Sequence, residues 1–539
     1  MEQFEIYIVL FGAIVIIGQL FKDSSIPISL LLVMTGMLLS LLPAFPHINL
    51  DSTLVLHIFL PLLVYQISSF SSWRDVKKDL RPITLLSVGH VVFITFVVAI
   101  VAHALIPQFS WPMAFILGAV VSPPDTVAIV SIAEKVYMPE RLVTILEGEG
   151  MFNDAAALTL FRFALAALMT NHFSAINAVS TFFAVVILET LYGLLLGYII
   201  GYLRLKIRNS MLHIIASVLT PFLAYIPAEK FGGSGILATV VTGFIIGNYY
   251  ALRYTPEFRL VSRTVWPALS FAIQSFLFLL LGLNMELILD RISSIPIQTL
   301  LSYSIAIILT VIIGRFIWVF PEAYIPRFLF PFIRRREHHL PWKYPFIISW
   351  AGMRGAISLA AALAIPSLPV LPGEANTKDL LIFLVFCVIA ATLLLQGLTL
   401  PWLLKITGIS QHGVREQYNQ HLSELNARVD MIEAVLHWLM QHKKEIRDNQ
   451  KLLDEVELRI KEYQMLKLRL EERIIDHNNH NMEHDEKQEI YDEIVLLTQI
   501  NDIERSELLR LWRQEKININ IRNKLLDQLD HGSKRLPVS

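Results

Sequence analysis

Residues 118–126 read Gly–Ala–Val–Val–Ser–Pro–Pro–Asp–Thr, which places two prolines and an acid inside an apolar stretch of the chain. Successive prolines remove two backbone donors and disfavour helix before them, so we predict a span that breaks near its middle. Broken backbone is tolerated inside a membrane only where it is buried in protein or lines a cavity. Asp125 would then lie near the N-terminus of the second half-helix, where the dipole favours an anion. The alternative is a simple proline kink that Asp125 caps.

The composition divides the chain into two parts. Apolar residues make up 54% of the 539 residues and charged residues 17%. Residues 411–539 contain 20 Lys/Arg and 25 Asp/Glu, whereas the first 410 residues contain the other 46 charged side chains. This pattern predicts a transmembrane domain at 1–405 and a helical, partly coiled-coil tail at 406–539. The acidic tail disfavours nucleic acid as a partner, and the single Cys387 excludes an internal disulfide.

Hydropathy and loop charge predict the topology. About thirteen apolar stretches are candidate spans, so we expect an all-α polytopic membrane protein surrounded by lipids. Alternate connections contain 18 Lys/Arg and the intervening ones only 3. Because cytoplasmic loops carry the basic excess, we expect the N-terminus outside, the tail in the cytoplasm and the protein integral to the cell membrane.

A second acidic stretch lies in the sixth span, where residues 146–154 read Leu–Glu–Gly–Glu–Gly–Met–Phe–Asn–Asp. At about 1.5 Å per residue, Asp154 lies roughly 20 Å from each end of that span and therefore close to the bilayer midplane. A carboxylate there can bind a proton or a small cation, but not both comfortably. Such competition is the chemistry of antiport. A purely structural buried acid is the alternative.

The twelfth span contains Arg354 between glycines, and a guanidinium inside a membrane needs an acidic partner. Glu149 is the best candidate for that partner, and the pair would be structural. The remaining intramembrane polar residues either line the pathway or bond between helices, and we favour the second role for most of them, with a pairing of Glu189 and Arg162. They are Gln66, Arg162, Glu189, Gln274 and Arg315.

Apolar residues of the tail recur at helical spacing from Leu453 to Ile474, with Lys467 in the seam. This predicts a short coiled coil or a helical hairpin, with a regulatory ligand or protein as a possible partner. The His477–His484 cluster reads as a solvated linker, with a metal site as the alternative.

Together the motifs of residues 1–405 resemble those of the bacterial monovalent cation:proton antiporters related to animal sodium/hydrogen exchangers. The motifs fall in the family's order. They are Leu60–Pro61 with Trp73 and Arg81–Pro82, Ser122–Pro123 with Asp125, Gly148–Glu149 with Asn153–Asp154, Ser234–Gly235 with Ala238, Arg354–Gly355, and Gln396–Gly397.

The resemblance implies thirteen helices with inverted repeats, two broken helices that cross near the ion site, and a homodimer. It implies that Asp154 is the ion- and proton-binding carboxylate with Asn153 beside it, and that Asp125 is the acid of the broken helix. It also implies a structural pair of Glu149 with Arg354. Asparagine at position 153, in place of a second aspartate, implies electroneutral exchange of one proton for one cation.

Three departures from the family pattern remove oxygen or charge from the expected site. Gly150 stands where the family has serine, Pro124 precedes Asp125 where the family has threonine, and Gln66 stands where many members have glutamate. The Pro124 carbonyl could still bind a cation. Sodium is therefore the default ion, with potassium as a serious rival and lithium following sodium.

The sequence predicts a secondary transporter that exchanges Na⁺ or K⁺ for H⁺, with a role in pH homeostasis and no cofactor beyond the transported ions. The alternatives are a K⁺/H⁺ antiporter regulated by its tail, an organic-anion transporter that uses Arg354, and a membrane sensor whose tail signals. Known hydrolase and phosphate-loop motifs do not occur in the sequence, so an enzyme is not expected.

Overall fold

In the computed structural model, the described residues form helices and no strands. The described residues are 3–21, 28–41, 55–126, 129, 132–133, 136–170, 175–233, 235–329, 341–363, 365, 377–445, 450–479, 506–508, 510 and 514. The chain divides into two compact units, Met1–Gln417 and Tyr418–Ser539. Of the histidine cluster, residues 480–484 lie outside the described part.

The helices of the first unit are rich in Leu, Ile, Val and Phe. A π-helical turn, Leu85–His90, joins the helices Leu80–Thr84 and Val91–Leu105. The helices up to residue 205 are α1 (Gln3–Leu20), α2 (Ile28–Ser40), α3 (Leu60–Phe70), α4 (Trp73–Lys78), α5 (Leu80–Thr84), α6 (Val91–Leu105), α7 (Trp111–Val121), α8 (Glu140–Thr170) and α9 (Ala175–Leu205).

The second half of the first unit contains a further π-helical turn, Leu393–Gly397, between the helices Thr377–Thr392 and Leu398–Ile406. Two long helices follow. The helices from residue 210 are α10 (Ser210–Lys230), α11 (Ile236–Ile245), α12 (Pro256–Leu283), α13 (Met285–Arg291), α14 (Ile297–Leu329), α15 (Lys343–Trp350), α16 (Ala356–Leu363), α17 (Thr377–Thr392), α18 (Leu398–Ile406), α19 (Ile409–Glu445) and α20 (Gln450–Asn479).

Within the described ranges, 8 helices are long and apolar enough to cross a membrane. Shorter apolar helices add to them, among them α2 and the 11-residue α7. Many large apolar side chains of α9 and α14 are exposed, as expected for helices that face lipid. The fold is therefore that of an all-helical membrane protein.

Glycines allow α2 and α12 to pack closely, and α12 is one wall of the site described below. A Cβ on Gly36 would clash with the backbone of Leu279, and a Cβ on Gly282 would clash with the backbone of Val33. Only glycine permits this backbone approach, which fixes α12 against its neighbour.

The second unit contains an antiparallel helical hairpin. Residues of α19 such as Ile432 and Leu436 pack against Val456 and Ile460 of α20. Two ion pairs show that the helices are antiparallel. Near the end of α19, Lys443 bonds Glu457 at 2.7 Å, and further back along α19, Glu433 bonds Lys467, which lies later in α20, at 2.6 Å. The hydrogen bond to Glu433 raises the pKa of the Lys467 ammonium. Lys467 therefore lies in the interface between α19 and α20 and forms an ion pair with the opposite helix.

The start of α19 belongs to the first unit. Ser410 donates to the Val136 carbonyl at 2.8 Å, and a Cβ on Gly413 would clash with the Tyr137 carbonyl. The first unit therefore includes the beginning of this helix, up to Gln417.

Candidate functional site

Two interrupted helices meet in the first unit. The helix α7 ends at Val121, and residues 122–125 are not helical, as the paired prolines predict. The chain between α15 and α16 is likewise not helical over residues 351–355. The Asp125 N–H donates to the Met353 carbonyl at 2.6 Å, so one break is bonded to the other.

Arg354 binds the carbonyl ends of these breaks. Its Nε donates to the Val121 carbonyl at 2.6 Å and its Nη1 to the Gly352 carbonyl at 2.9 Å. The Thr392 hydroxyl accepts from the Arg354 backbone N–H at 3.1 Å. The side chain is fully buried. A cation at the C-terminal end of a half-helix offsets its dipole and its unpaired carbonyls.

A small cavity of about 40 Å³ lies beside the crossing. A single water needs roughly 10–15 Å³ by this measure, so the cavity has room for a cation or a few waters. Its apolar wall includes Leu63, Leu277 and Phe278. The polar side chains that line it are Asp125, Thr126, Asp154, Gln274 and Ser358.

Asp154 lies on the cavity face of α8, near the middle of that helix. Among the described residues, its carboxylate has no hydrogen-bond or ion-pair partner. The carboxyl group of Asp125 also lines the cavity, seated over Gly355, where an added Cβ would lie 2.6 Å from Asp125 Cγ. Glycine at position 355 is therefore what admits Asp125 to the site.

The hydroxyl of Thr126 occupies the space beside Gly150. A Cβ on Gly150 would clash with Thr126 Oγ1 and lie 2.8 Å from Thr126 Cβ. Thr126 is 5% exposed, Ser358 is 3% exposed, and both line the cavity. Neither hydroxyl has a hydrogen-bond partner among the described residues. The Thr126 hydroxyl therefore lies where a side chain at position 150 would place its oxygen.

Asn153 and Gln66, both expected at the ion site, do not line this cavity. Asn153 is fully buried and its Nδ2 donates to the Pro124 carbonyl at 2.9 Å, so it anchors the first break. Pro124 lies on the cavity, but its carbonyl accepts this bond. Leu63 and Ile67 border the cavity from α3, and the glutamine that lines it is Gln274 of α12.

The predicted pairing of Glu149 with Arg354 is wrong. Glu149 binds Arg315 of α14 through two parallel bonds, Nη1 to Oε1 at 2.6 Å and Nη2 to Oε2 at 2.8 Å. The physical reason is that Nε and Nη1 of Arg354 are directed to backbone carbonyls, whereas Arg315 reaches both oxygens of Glu149. His90 Nδ1 lies 4.0 Å from Glu149 Oε1 in the same buried cluster.

The suggested pair of Arg162 with Glu189 is also wrong. Arg162 binds Glu229 of α10 at 2.7 Å and the carbonyl of Gly233. Glu189 instead accepts the N–H groups of Gly235 at 3.1 Å and Ala238 at 3.3 Å. The N-terminus of α11 supplies unpaired donors to this carboxylate, so an arginine is not required.

Broken helices that cross beside a buried acid are typical of secondary transporters. The chain belongs to the sodium/hydrogen exchanger family, because the profile described as sodium/hydrogen exchanger, transmembrane, matches residues 6–406. The family resemblance that the motifs predict is therefore confirmed.

Relatives extend over most of the chain. An uncharacterised Na⁺/H⁺ exchanger of Mycobacterium tuberculosis is 31% identical over 376 residues, which is 69% of this chain and 68% of the relative. A sodium, potassium, lithium and rubidium/H⁺ antiporter of Bacillus pumilus is 31% identical, over 70% of this chain and 58% of the relative. The Na⁺/H⁺ antiporter ApNhaP of Aphanothece halophytica is 29% identical, over 81% of this chain and 80% of the relative.

The fold is similar to that of the sodium proton antiporter MjNhaP1 from Methanocaldococcus jannaschii, with a TM-score of 0.57 at 17% identity. The match covers 76% of this chain and 99% of that one. The first unit, Met1–Gln417, which we call the membrane unit, therefore has the fold of this antiporter.

Proposed function

We propose that this protein exchanges cytoplasmic Na⁺ or K⁺ for external H⁺ through Asp154. The observation that supports this most directly is the carboxylate of Asp154, which lines a cavity between two broken helices and has no partner within the described ranges. A carboxylate at this depth is costly to leave ionised and alone. A proton neutralises it, and a bound cation compensates it, but each displaces the other. Competition for one group couples the two fluxes.

The cation would be bound by oxygen atoms on both sides of the cavity. Asp154 supplies the charge, and the hydroxyls of Thr126 and Ser358 with the Gln274 amide oxygen supply neutral ligands. Hard monovalent cations prefer such oxygen ligands. Asn153 acts by holding the Pro124 carbonyl in place, and Asp125 adds negative potential across the cavity.

Neutral ligands and a single exchanging carboxylate favour electroneutral exchange of one proton for one cation. Sodium and potassium both remain substrates in this proposal, with lithium following sodium. The name of the Bacillus pumilus relative, which includes four alkali cations, supports a site of broad selectivity.

The direct test is the variant Asp154→Asn in inverted vesicles with a pH-sensitive dye. Addition of Na⁺, K⁺ or Li⁺ should dequench the dye for the wild-type protein and leave it unchanged for the variant. Asp379→Asn is the matched control, since Asp379 is a buried acid that lies 3.6 Å from Arg291. Cation-dependent dequenching by a folded Asp154→Asn protein would contradict the mechanism.

The number of spans, the oligomeric state and the orientation that we propose are those expected from the family resemblance. Thirteen spans with inverted repeats would form a homodimer, with the N-terminus outside and the tail in the cytoplasm. One helix bundle would rock against the other around the site. The helical hairpin of the tail, as a hairpin or a short coiled coil, would bind a regulatory ligand or protein and adjust exchange during pH homeostasis.

A sensor whose tail signals is the rival function. Truncation after Gln417 separates the two, because it keeps the residues of α19 that contact the membrane unit. A transporter should retain measurable exchange without residues 418–539, whereas a sensor would show none with or without them.

A further inference from the structure

The first unit contains a second, much larger cavity of about 810 Å³. It lies between α5, α8, α9 and α11. Phe152, Ala155, Ala156 and Thr159 line it from α8, whereas Asp154 does not. At about 100° per residue, these four side chains point to the face of α8 opposite Asp154. This cavity is therefore separate from the ion site.

The wall of the large cavity is mostly apolar, and the Glu189 carboxylate that also lines it accepts the backbone N–H groups of Gly235 and Ala238. Its threonines are bonded within their own helices, as Thr84 is to the Leu80 carbonyl at 2.8 Å and Thr159 to the Ala155 carbonyl at 2.7 Å. Ser87 differs, because its hydroxyl is fully buried and has no hydrogen-bond partner. An occupant of this cavity would be a hydrocarbon with one hydrogen-bond acceptor near Ser87.

One edge of the cavity has aromatic rings next to exposed cations. Trp73 and Tyr249 line it and are 46% and 47% exposed. The Trp73 N–H donates to Asn248 Oδ1 at 2.8 Å, which fixes the rim. Lys77 lies one helical turn beyond Trp73 and is exposed. The Arg253 guanidinium lies 4.3 Å from the centre of the Tyr249 ring.

Aromatic residues beside basic ones mark the level of lipid headgroups in membrane proteins. Ser87 lies seven residues beyond Leu80, which also lines the cavity, so it is roughly 10 Å deeper along the span. The headgroup region of a bilayer leaflet is only about 5–8 Å thick. The Ser87 hydroxyl is thus near the depth at which the glycerol esters of a phospholipid begin.

We propose that this cavity binds an anionic phospholipid. Its acyl chain fills the space between α8, α9 and α11, and an ester carbonyl accepts a hydrogen bond from Ser87. Its headgroup phosphate lies against Lys77 and Arg253. The lipid enters at the edge of the cavity beside Trp73 and Tyr249, which are exposed. The helix α9 borders the bilayer, since Leu188, Leu191 and Leu195 are exposed on its other face.

The bound chain would pack against the helix that carries Asp154 and would fill a large apolar void. Cavities of 300–1,000 Å³ with apolar walls and few polar groups are typical of small-molecule sites. The proposal does not depend on ion exchange, since its readout is lipid retention.

The test measures phosphatidylglycerol and phosphatidylcholine retained by the purified full-length protein, using native mass spectrometry in detergent with equal amounts of both lipids. The wild-type protein should retain phosphatidylglycerol several-fold more often. Val186→Phe fills the cavity and should abolish this retention. Ile305→Phe, a substitution on the exposed face of α14, is the matched control and should behave as the wild type.

A separate double variant tests the role of the two basic side chains in binding the headgroup. Lys77→Gln with Arg253→Gln alters only exposed positions and should reduce the preference for phosphatidylglycerol to near unity. Lys405→Gln, an exposed lysine at the end of α18, should leave the preference unchanged. Equal retention by Val186→Phe and Ile305→Phe, or no lipid preference in the wild-type protein, would overturn the proposal.

Discussion

Removal of the Arg315 guanidinium should destabilise the protein more than removal of any other single positive charge in the membrane unit. Glu149 is 0% exposed and Arg315 is 1% exposed, and two bonds of 2.6 and 2.8 Å join them. Breaking a buried ion pair from one side costs roughly 3–5 kcal/mol, because the remaining charge stays buried without compensation. We therefore expect Arg315→Met to lower the free energy of unfolding by about that amount.

Arg354→Met is the matched comparison. Arg354 is equally buried, but its partners are the carbonyls of Val121 and Gly352. Leaving buried carbonyls without a donor costs roughly 1–3 kcal/mol. Combining Glu149→Met with Arg315→Met should recover most of the loss, since replacing both members of a buried pair by apolar groups is often neutral.

The assay is denaturant titration of the full chain in detergent, followed by tryptophan fluorescence and repeated by thermal unfolding. Five proteins suffice: the wild type, Arg315→Met, Arg354→Met, and each of these two variants combined with Glu149→Met. The reasoning fails if Glu149→Met rescues Arg354→Met and leaves Arg315→Met unchanged. That result would restore the pairing predicted from the sequence.

The sequence predicts the breaks in the helices better than the contacts between side chains. Paired prolines locate the first break, and helical spacing places Asp154 and Gly150 on one face, as observed. Spacing along one helix does not fix how that helix is rotated against its neighbours. It therefore does not distinguish Arg315 from Arg354 as the partner of Glu149.

The same limit applies to neutral residues. Gln66 and Gln274 are both glutamines in apolar spans, and only the packing of α3 and α12 places Gln274 on the cavity. The Thr126 hydroxyl beside Gly150 had a signal in the sequence, because position 150 lacks the serine of the family and a hydroxyl residue directly follows Asp125. Their compensation is visible only once the two helices are placed side by side.

Three further predictions test the ion site, the rim of the membrane unit and the tail. Thr126→Val should raise the cation concentration that gives half-maximal dequenching several-fold without lowering thermal stability, and an unchanged value would remove Thr126 from the ligand set. Glu229→Gln should weaken the contact with Arg162, which is 2.7 Å long and 35% exposed on the arginine side, and lower the unfolding free energy by at most about 1 kcal/mol in denaturant titration; a larger loss would indicate a stronger network. Ile460→Asp should unfold the tail hairpin, seen as faster amide exchange in residues 425–474, while vesicle exchange activity persists; unchanged amide exchange would contradict the packing of α19 on α20.

The contrast between Asp154 and other acids of the membrane unit explains how leakage would be avoided. Glu149, Glu189 and Glu229 each accept bonds from an arginine or from backbone N–H groups, so their charges are compensated within the protein. Asp154 has no such partner among the described residues, and leaving an acid ionised inside a membrane costs up to roughly 2.5–3.5 kcal/mol on insertion scales. An empty site is therefore the costly state, and a bundle should move only after Asp154 binds a proton or a cation. Asp154→Asn removes this constraint, so the variant should alternate freely without transport. Amide exchange of α7 and α16 in that variant should then be independent of pH and of added Na⁺, whereas in the wild-type protein it should depend on both.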